Sequence, residues 1–188
     1  MNTKRTICFG ALLLAALCFT TLHAAPETAP YTASEKDGDY ELRAYPALTV
    51  ATTLEKDQRD GAFMRLFRFI QGDNEKAQKI EMTTPVFMDR GEAGTAMSFV
   101  MPEAARKDAP APKSEDVKLS QRAAAKYAVF RFAGMQSKKN EDAALEKLRE
   151  WMKAKGIAVK GSPAFAYYDP PWILGPWRRN EVLVQVGK

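Results

Sequence analysis

The chain has 188 residues, a formal charge of +5 and 46% hydrophobic residues. That length suits one domain, with or without a targeting segment, and the apolar share excludes intrinsic disorder. Its two cysteines and one histidine are Cys8, Cys18 and His23, so the fate of the first 24 residues decides which chemistries remain.

Lys4 and Arg5 precede an apolar run, Ile7–Phe19. The run is too short for the ~20 residues of a membrane-spanning helix and has the length of a signal-peptide core. Small residues follow at Ala24 and Ala25, and residues 1–24 are expected to be a cleaved signal peptide. An uncleaved anchor and a lipoprotein signal are the alternatives, and Leu17 before Cys18 argues against the second. Removing 24 of the 188 residues leaves 164, with a charge of +3 because Lys4 and Arg5 leave too. The expectation is an exported protein, periplasmic or secreted, with no stable membrane span after cleavage. Without Cys or His it has no disulfides, no thiol nucleophile, no Ser-His-Asp triad and no imidazole acid or base.

Residues 25–38 are polar, with Pro26, Pro30 and Gly38, and read as a leader before a single domain at 39–188. Strand formers run from Tyr40 to Leu54, broken by Pro46. A helix follows: Asp60 can cap it, and Phe63, Met64, Leu66, Phe67 and Ile70 recur at helical spacings up to a stop at Gly72. Strands are expected at Ile80–Met88 and Ala96–Met101, then a Pro- and charge-rich loop at 102–114. Val117–Ser120 and Tyr127–Phe132 read as strands. Asn140 is read as the cap of a second helix, with Glu141 and Asp142 in its first turn and Gly156 at its end. Ala164–Tyr168 and Glu181–Val186 read as the last strands. The pattern of strands, helix, strand, strand occurs twice, which implies an internal repeat and an α+β fold: a curved antiparallel sheet or distorted barrel with helices outside.

Several stretches carry a resemblance. They are Tyr40-Glu41-Leu42-Arg43-Ala44-Tyr45-Pro46, the helix from Phe63 to Asn74, Ile80-Glu81-Met82-Thr83-Thr84-Pro85-Val86, the Pro110-Ala111-Pro112 loop, Tyr168-Asp169-Pro170-Pro171 and Arg178-Arg179-Asn180-Glu181-Val182. In this order they resemble the SOUL/haem-binding protein family over nearly all of residues 40–186. The resemblance implies a distorted eight-stranded antiparallel β-barrel flanked by two helices, with an internal pseudo-two-fold repeat. It also implies noncovalent binding of haem or another porphyrin in a hydrophobic cleft beside the first helix.

A porphyrin needs a broad apolar surface and cations for its propionates. On the first helix Phe63, Met64, Phe67 and Ile70 form an apolar stripe flanked by Arg65 and Arg68, whose forks suit carboxylates. The candidate haem-binding residues are therefore Phe63, Met64, Arg65, Phe67, Arg68 and, from the C-terminal motif, Arg178. The competing reading makes Phe67 and Ile70 core, Arg65 and Arg68 solvated, and Arg178 or Arg179 a partner of Glu181 or a turn cap. With imidazole and thiolate gone, no Tyr, Met or Lys stands in a spacing that selects it as an iron ligand. The expectation is hydrophobic and ionic holding of the ring, with weak or absent ligation of iron by the protein.

Met82-Thr83-Thr84-Pro85-Val86 reads as a strand ending at a Pro-bent edge rather than a cleft wall. Trp172 and Trp177, among Pro170, Pro171 and Pro176, read as a rigid loop covering a barrel end, with an aromatic pair for a flat ligand as the alternative. Asp37, Asp39 and Glu41 lack a calcium-loop pattern. The positive charges are interspersed with acids, which argues against a nucleic-acid partner. No metal site, acid–base pair or phosphate loop is identifiable, so binding is favoured over catalysis. The alternative is a module for another apolar anion or for protein interaction on an effector-binding-like fold.

Overall fold

The computed structural model describes residues 25–55, 61–91 and 94–187; the expected signal peptide and the Asp60 cap lie outside them. The strands are β1 (Glu27–Thr28), β2 (Thr32–Asp37), β3 (Tyr40–Tyr45), β4 (Leu48–Glu55), β5 (Thr83–Thr84), β6 (Val86–Gly91), β7 (Gly94–Val100), β8 (Lys118–Arg122), β9 (Ala125–Phe132), β10 (Val159–Tyr167) and β11 (Asn180–Val186). Helices α1 (Ala62–Ile70) and α2 (Lys138–Ala154) complete an α+β architecture. Nine strands form one antiparallel sheet in the order β2-β3-β9-β11-β10-β6-β7-β4-β8, and β1 pairs with β5 in parallel. The expected eight-stranded barrel is corrected on this point: among the described residues no pairing joins β2 to β8, so the sheet stays open. Both edge strands are short and carry Lys together with other polar residues, a composition that discourages further pairing. The expected polar leader, residues 25–38, contains β1 and β2. β2 is fully exposed, yet it joins the sheet through backbone pairing from Thr32↔Ala44 to Asp37↔Tyr40, which needs no apolar side chain.

Period-two alternation sends side chains of each strand to opposite faces. On the helix-free face Tyr45, Leu48, Val50, Phe87, Val129 and Leu183 form one core with Ala29. On the other, Leu145, Leu148 and Met152 of α2 cover Ala128, Phe130, Val182 and Val184, while Leu66, Phe69 and Ile70 of α1 cover Ala51, Phe99 and Met101. Chain order is β4–α1–β6–β7 and later β9–α2–β10–β11.

The sequence places some boundaries differently. The α2 cap lies three residues before the expected one: Ser137 Oγ accepts from the Asn140 N–H at 3.3 Å, whereas the Asn140 amide donates to the Met135 carbonyl at 2.8 Å. The expected strand from Ile80 is interrupted at Pro85, which cannot donate to a ladder, and Ile80 is instead buried against α1. Gly72 and Gly156 end the helices as expected, both with positive φ.

A buried charge cluster ties the helix-free face together. Glu181 is wholly inaccessible. It accepts from Arg43 Nη1 at 2.7 Å and Nη2 at 3.1 Å, from Arg179 Nε at 3.0 Å and Nη2 at 2.8 Å, and from Tyr168 Oη at 2.9 Å. Burial pushes the carboxyl upward, but the hydrogen bonds and charges of Arg43 and Arg179 outweigh it and hold Glu181 below the ordinary carboxylate value. Glu181→Ala leaves the buried Arg43 with Glu41, at 2.6 Å, as its remaining carboxylate and is expected to cost about 3 kcal/mol in urea denaturation. A depressed native pKa lends stability above the unfolded value of 4.5, and that stability is lost as pH falls through the native value. The wild type is therefore expected to lose stability below about pH 4.5, with a shallower acid slope in Glu181→Gln; equal slopes would remove Glu181 from the acid transition.

Candidate functional site

The two helices leave part of their shared sheet face uncovered between their N-terminal ends. The result is a cleft of about 770 Å³, within the size range of small-molecule sites. Met88 and Arg90 of β6, Met97 of β7 and Phe165 of β10 form its floor, Ala62 and Phe63 of α1 one wall, and Ser137, Lys138 and Glu141 of α2 the other, with Glu55 also lining it.

Its charges are internally compensated. Glu141 is buried and accepts from Arg90 Nη2 and Tyr167 Oη. Arg90 Nη1 donates to Asp142 Oδ1 at 3.0 Å, and Lys138 donates to the other Asp142 oxygen. Burial, reinforced by Glu141, pushes the Tyr167 phenol up, so it stays protonated and donates. Hydrogen bonds from Lys138 and Arg90 hold the Asp142 carboxyl below its ordinary value. The Arg90 guanidinium lies 4.5 Å over the Phe165 ring, an arrangement that presents an apolar, cation-edged floor. Such a surface can hold a flat apolar group and offer Lys138 to an acidic substituent.

The first helix is rotated relative to the stripe read from its sequence. The inward residues are Ala62, Leu66, Phe69 and Ile70. Phe63 lines the cleft and stacks on the half-buried Phe67 with ring centroids 6.0 Å apart. Met64 and Arg68 are exposed on the outer side. Arg65 is half-buried and tethered to β4, its Nε donating to Thr53 Oγ1 at 3.0 Å and its Nη2 to the Leu54 carbonyl at 2.7 Å. Arg178 is committed to its own loop, donating to the carbonyls of Ile173 at 2.7 Å and of Pro171. The structure thus brings Phe63 and Phe67 together, sets Met64 and Arg68 on another side of the helix, and keeps Arg178 among the loop residues.

Sequence reasoning missed Met88, Arg90, Met97, Lys138, Glu141 and Phe165. One signal was available: alternation puts Arg90 on the same side of β6 as the core residue Met88, and a charge facing a core needs a partner. The short motifs prove structural. Thr83 Oγ1 donates to the Val100 carbonyl at 2.7 Å, Asp169 accepts from the Arg179 N–H, and Arg179 and Glu181 belong to the buried cluster. On the helix-free face a smaller cavity of about 240 Å³ is lined by the Asp89–Arg122 pair, Tyr127 and Gln185.

"Heme-binding protein 2" of Homo sapiens is 36% identical over 172 residues, covering 84% of this chain and 83% of its own length, and its Mus musculus counterpart is 32% identical over 171 residues, with the same coverage. Among solved structures, the EcmrR C-terminal domain superposes with a TM-score of 0.58 at 13% identity, over 84% of this chain and 98% of that one. A structure described as a hydrolase from Listeria innocua gives 0.58 at 12% identity, over 81% and 94%. At such identities these two speak to the fold alone. The family model for SOUL heme-binding protein matches residues 26–185, and with relatives of this similarity the chain belongs to the SOUL heme-binding protein family.

Proposed function

We propose that this protein is exported and binds haem or another tetrapyrrole noncovalently in the cleft between the helices, as a carrier, buffer or scavenger rather than an enzyme. The observation that carries this reading is a cleft of porphyrin-compatible size beside α1, lined by Phe63 and Met97 together with polar and charged residues, in a chain of a heme-binding family. Phe63 and Met97 are suited to meet the ring, with Phe67 supporting Phe63 and the buried Met88 and Phe165 packed beneath. Lys138 is the cation at the cleft suited to the propionates, whereas Arg68 and Met64 stand on the outer side of α1. Arg65 and Arg178 act through the backbone they hold. Bound haem would supply a redox-active iron. The described residues contain neither His nor Cys, so their fit is to the ring and its acids rather than to the metal. Export rests on the basic and apolar N-terminal pattern. The repeated order of elements supports the reading of the two halves as an internal repeat curved toward a barrel.

Titration with haemin is expected to give a saturable Soret shift near 1:1, and metal-free porphyrin is expected to bind with similar affinity. No saturable binding to either sinks the reading, and saturable binding of a non-porphyrin apolar anion alone would favour a different binding module. Phe63→Ala is expected to weaken binding about tenfold through lost aromatic contact. Lys138→Ala should weaken free-acid porphyrin but not its dimethyl ester. Low-temperature EPR of the haemin complex should lack the signature of a strong-field, bis-axially ligated iron; finding it would overturn the ligation part of the proposal.

A further inference from the structure

Four of the eight large hydrophobic side chains exposed among the described residues meet at one place. Trp172 is 78% exposed, Leu174 61% and Trp177 76%; all three lie in the β10–β11 connection, where they were expected to cover a barrel end and instead cover nothing. Met135, 54% exposed, joins them from the β9–α2 connection. The Gly134 N–H donates to the Gly175 carbonyl at 2.9 Å, and a Cβ on Gly175 would stand 3.4 Å from Met135 Cγ. Scattered exposed apolar residues need no explanation, but a cluster does.

The loop is held rigidly with these side chains outward. Arg178 binds the Ile173 and Pro171 carbonyls, Asp169 accepts from the Arg179 N–H, and Asn180 Nδ2 donates to the Gly134 carbonyl at 2.8 Å. Trp151 donates its indole N–H to Asp37 at 3.0 Å, whereas those of Trp172 and Trp177 find no acceptor among the described residues. An aromatic body with an uncommitted N–H suits the boundary between lipid tails and headgroups.

Charge next to the loop completes the pattern. Two residues beyond Met135, α2 opens on Ser137-Lys138-Lys139. Cations in a first helical turn oppose the helix dipole. Lys138 is compensated by Asp142, but Lys139 has no acidic partner among the described residues. Positive charge set against local electrostatics beside an apolar tip is complementary to anionic headgroups. No described helix is long and apolar enough to cross a membrane.

We propose that the 169–178 loop, with Met135, Lys138 and Lys139, docks this protein on anionic phospholipid surfaces. The proposal is independent of the haem reading and is tested without any porphyrin. The purified protein is sedimented with vesicles of phosphatidylcholine alone or with about one-quarter phosphatidylglycerol. Co-sedimentation with the anionic vesicles is expected, with a blue shift of tryptophan emission and weakening at about 0.5 M NaCl. Lys139→Glu should lower the affinity about fivefold or more, and W172A/W177A should abolish sedimentation while thermal melting stays that of the wild type. If the double variant misfolds, Trp172→Ser alone serves, with a partial loss expected. Failure to bind anionic vesicles, or binding indifferent to the tryptophans, overturns the proposal. So does self-association without lipid that W172A/W177A removes, which would make the loop a protein contact.

Discussion

An ionised carboxylate with no access to water is costly unless charges and hydrogen bonds surround it. Glu181 meets that requirement with two guanidinium groups and a phenol, and much of the structure follows from doing so. Arg43 stands on β3 and Glu181 on β11, with β9 between them, so the pair fixes three strands in register from one side. Arg43 also covers the Tyr31 ring at 4.2 Å, which anchors the segment ahead of β2. Arg179 covers the Tyr168 ring at 3.9 Å and places its backbone N–H on Asp169. Such a cluster adds less net stability than an apolar core of the same size and selects one arrangement over its neighbours. That selectivity passes into the C-terminal loop, whose two ends, Asp169 and Arg179, it clamps.

A second carboxylate serves the opposite face, with a different outcome. Glu181 is enclosed, whereas Glu141 sits in the cleft wall with Arg90 and Tyr167. Arg90 and Lys138 balance Glu141 and Asp142 within the cluster, so the carboxylate in the cleft wall is compensated. Under the proposed function this compensation would lower the electrostatic cost of an anionic ligand there.

The fold was legible in the sequence wherever period and punctuation agreed. Pro46 separates β3 from β4, and Gly72 and Gly156 end the helices. The rotation of α1 was legible only in part. Ala62, Leu66, Phe69 and Ile70 recur at helical spacing and are the inward stripe, but Phe63, Met64 and Phe67 are apolar too and offered a neighbouring face; the tether from Arg65 to Thr53 and Leu54 is a contact between separate elements. The α2 cap was readable but ambiguous: Ser137 and Asn140 are both good caps, and tertiary demand for a donor at the Met135 carbonyl decides between them. The cleft floor was hidden for another reason. Met88, Met97 and Phe165 adjoin only because β6 lies between β7 and β10, an order no local motif encodes. Strand edges were obscured likewise, since β2 enters the sheet with Ala33 as its one apolar residue.

Taken together, the two proposals place ligand and surface side by side. Met135 belongs to the exposed apolar cluster, and the next residues, Gln136, Ser137 and Lys138, line the cleft. A loop seated in a headgroup layer would therefore bring the cleft mouth close to the bilayer. Porphyrins are planar and poorly hydrated on both faces, so they partition toward such a layer, and a cleft opening beside it meets them without a long path through water. Lys138 stands at both boundaries. On the cleft side it would face the acids of a ligand, and on the loop side the acids of the headgroups, while Asp142 holds it in place between them. The opposed dipole of α2 would then be offset where two anionic partners converge.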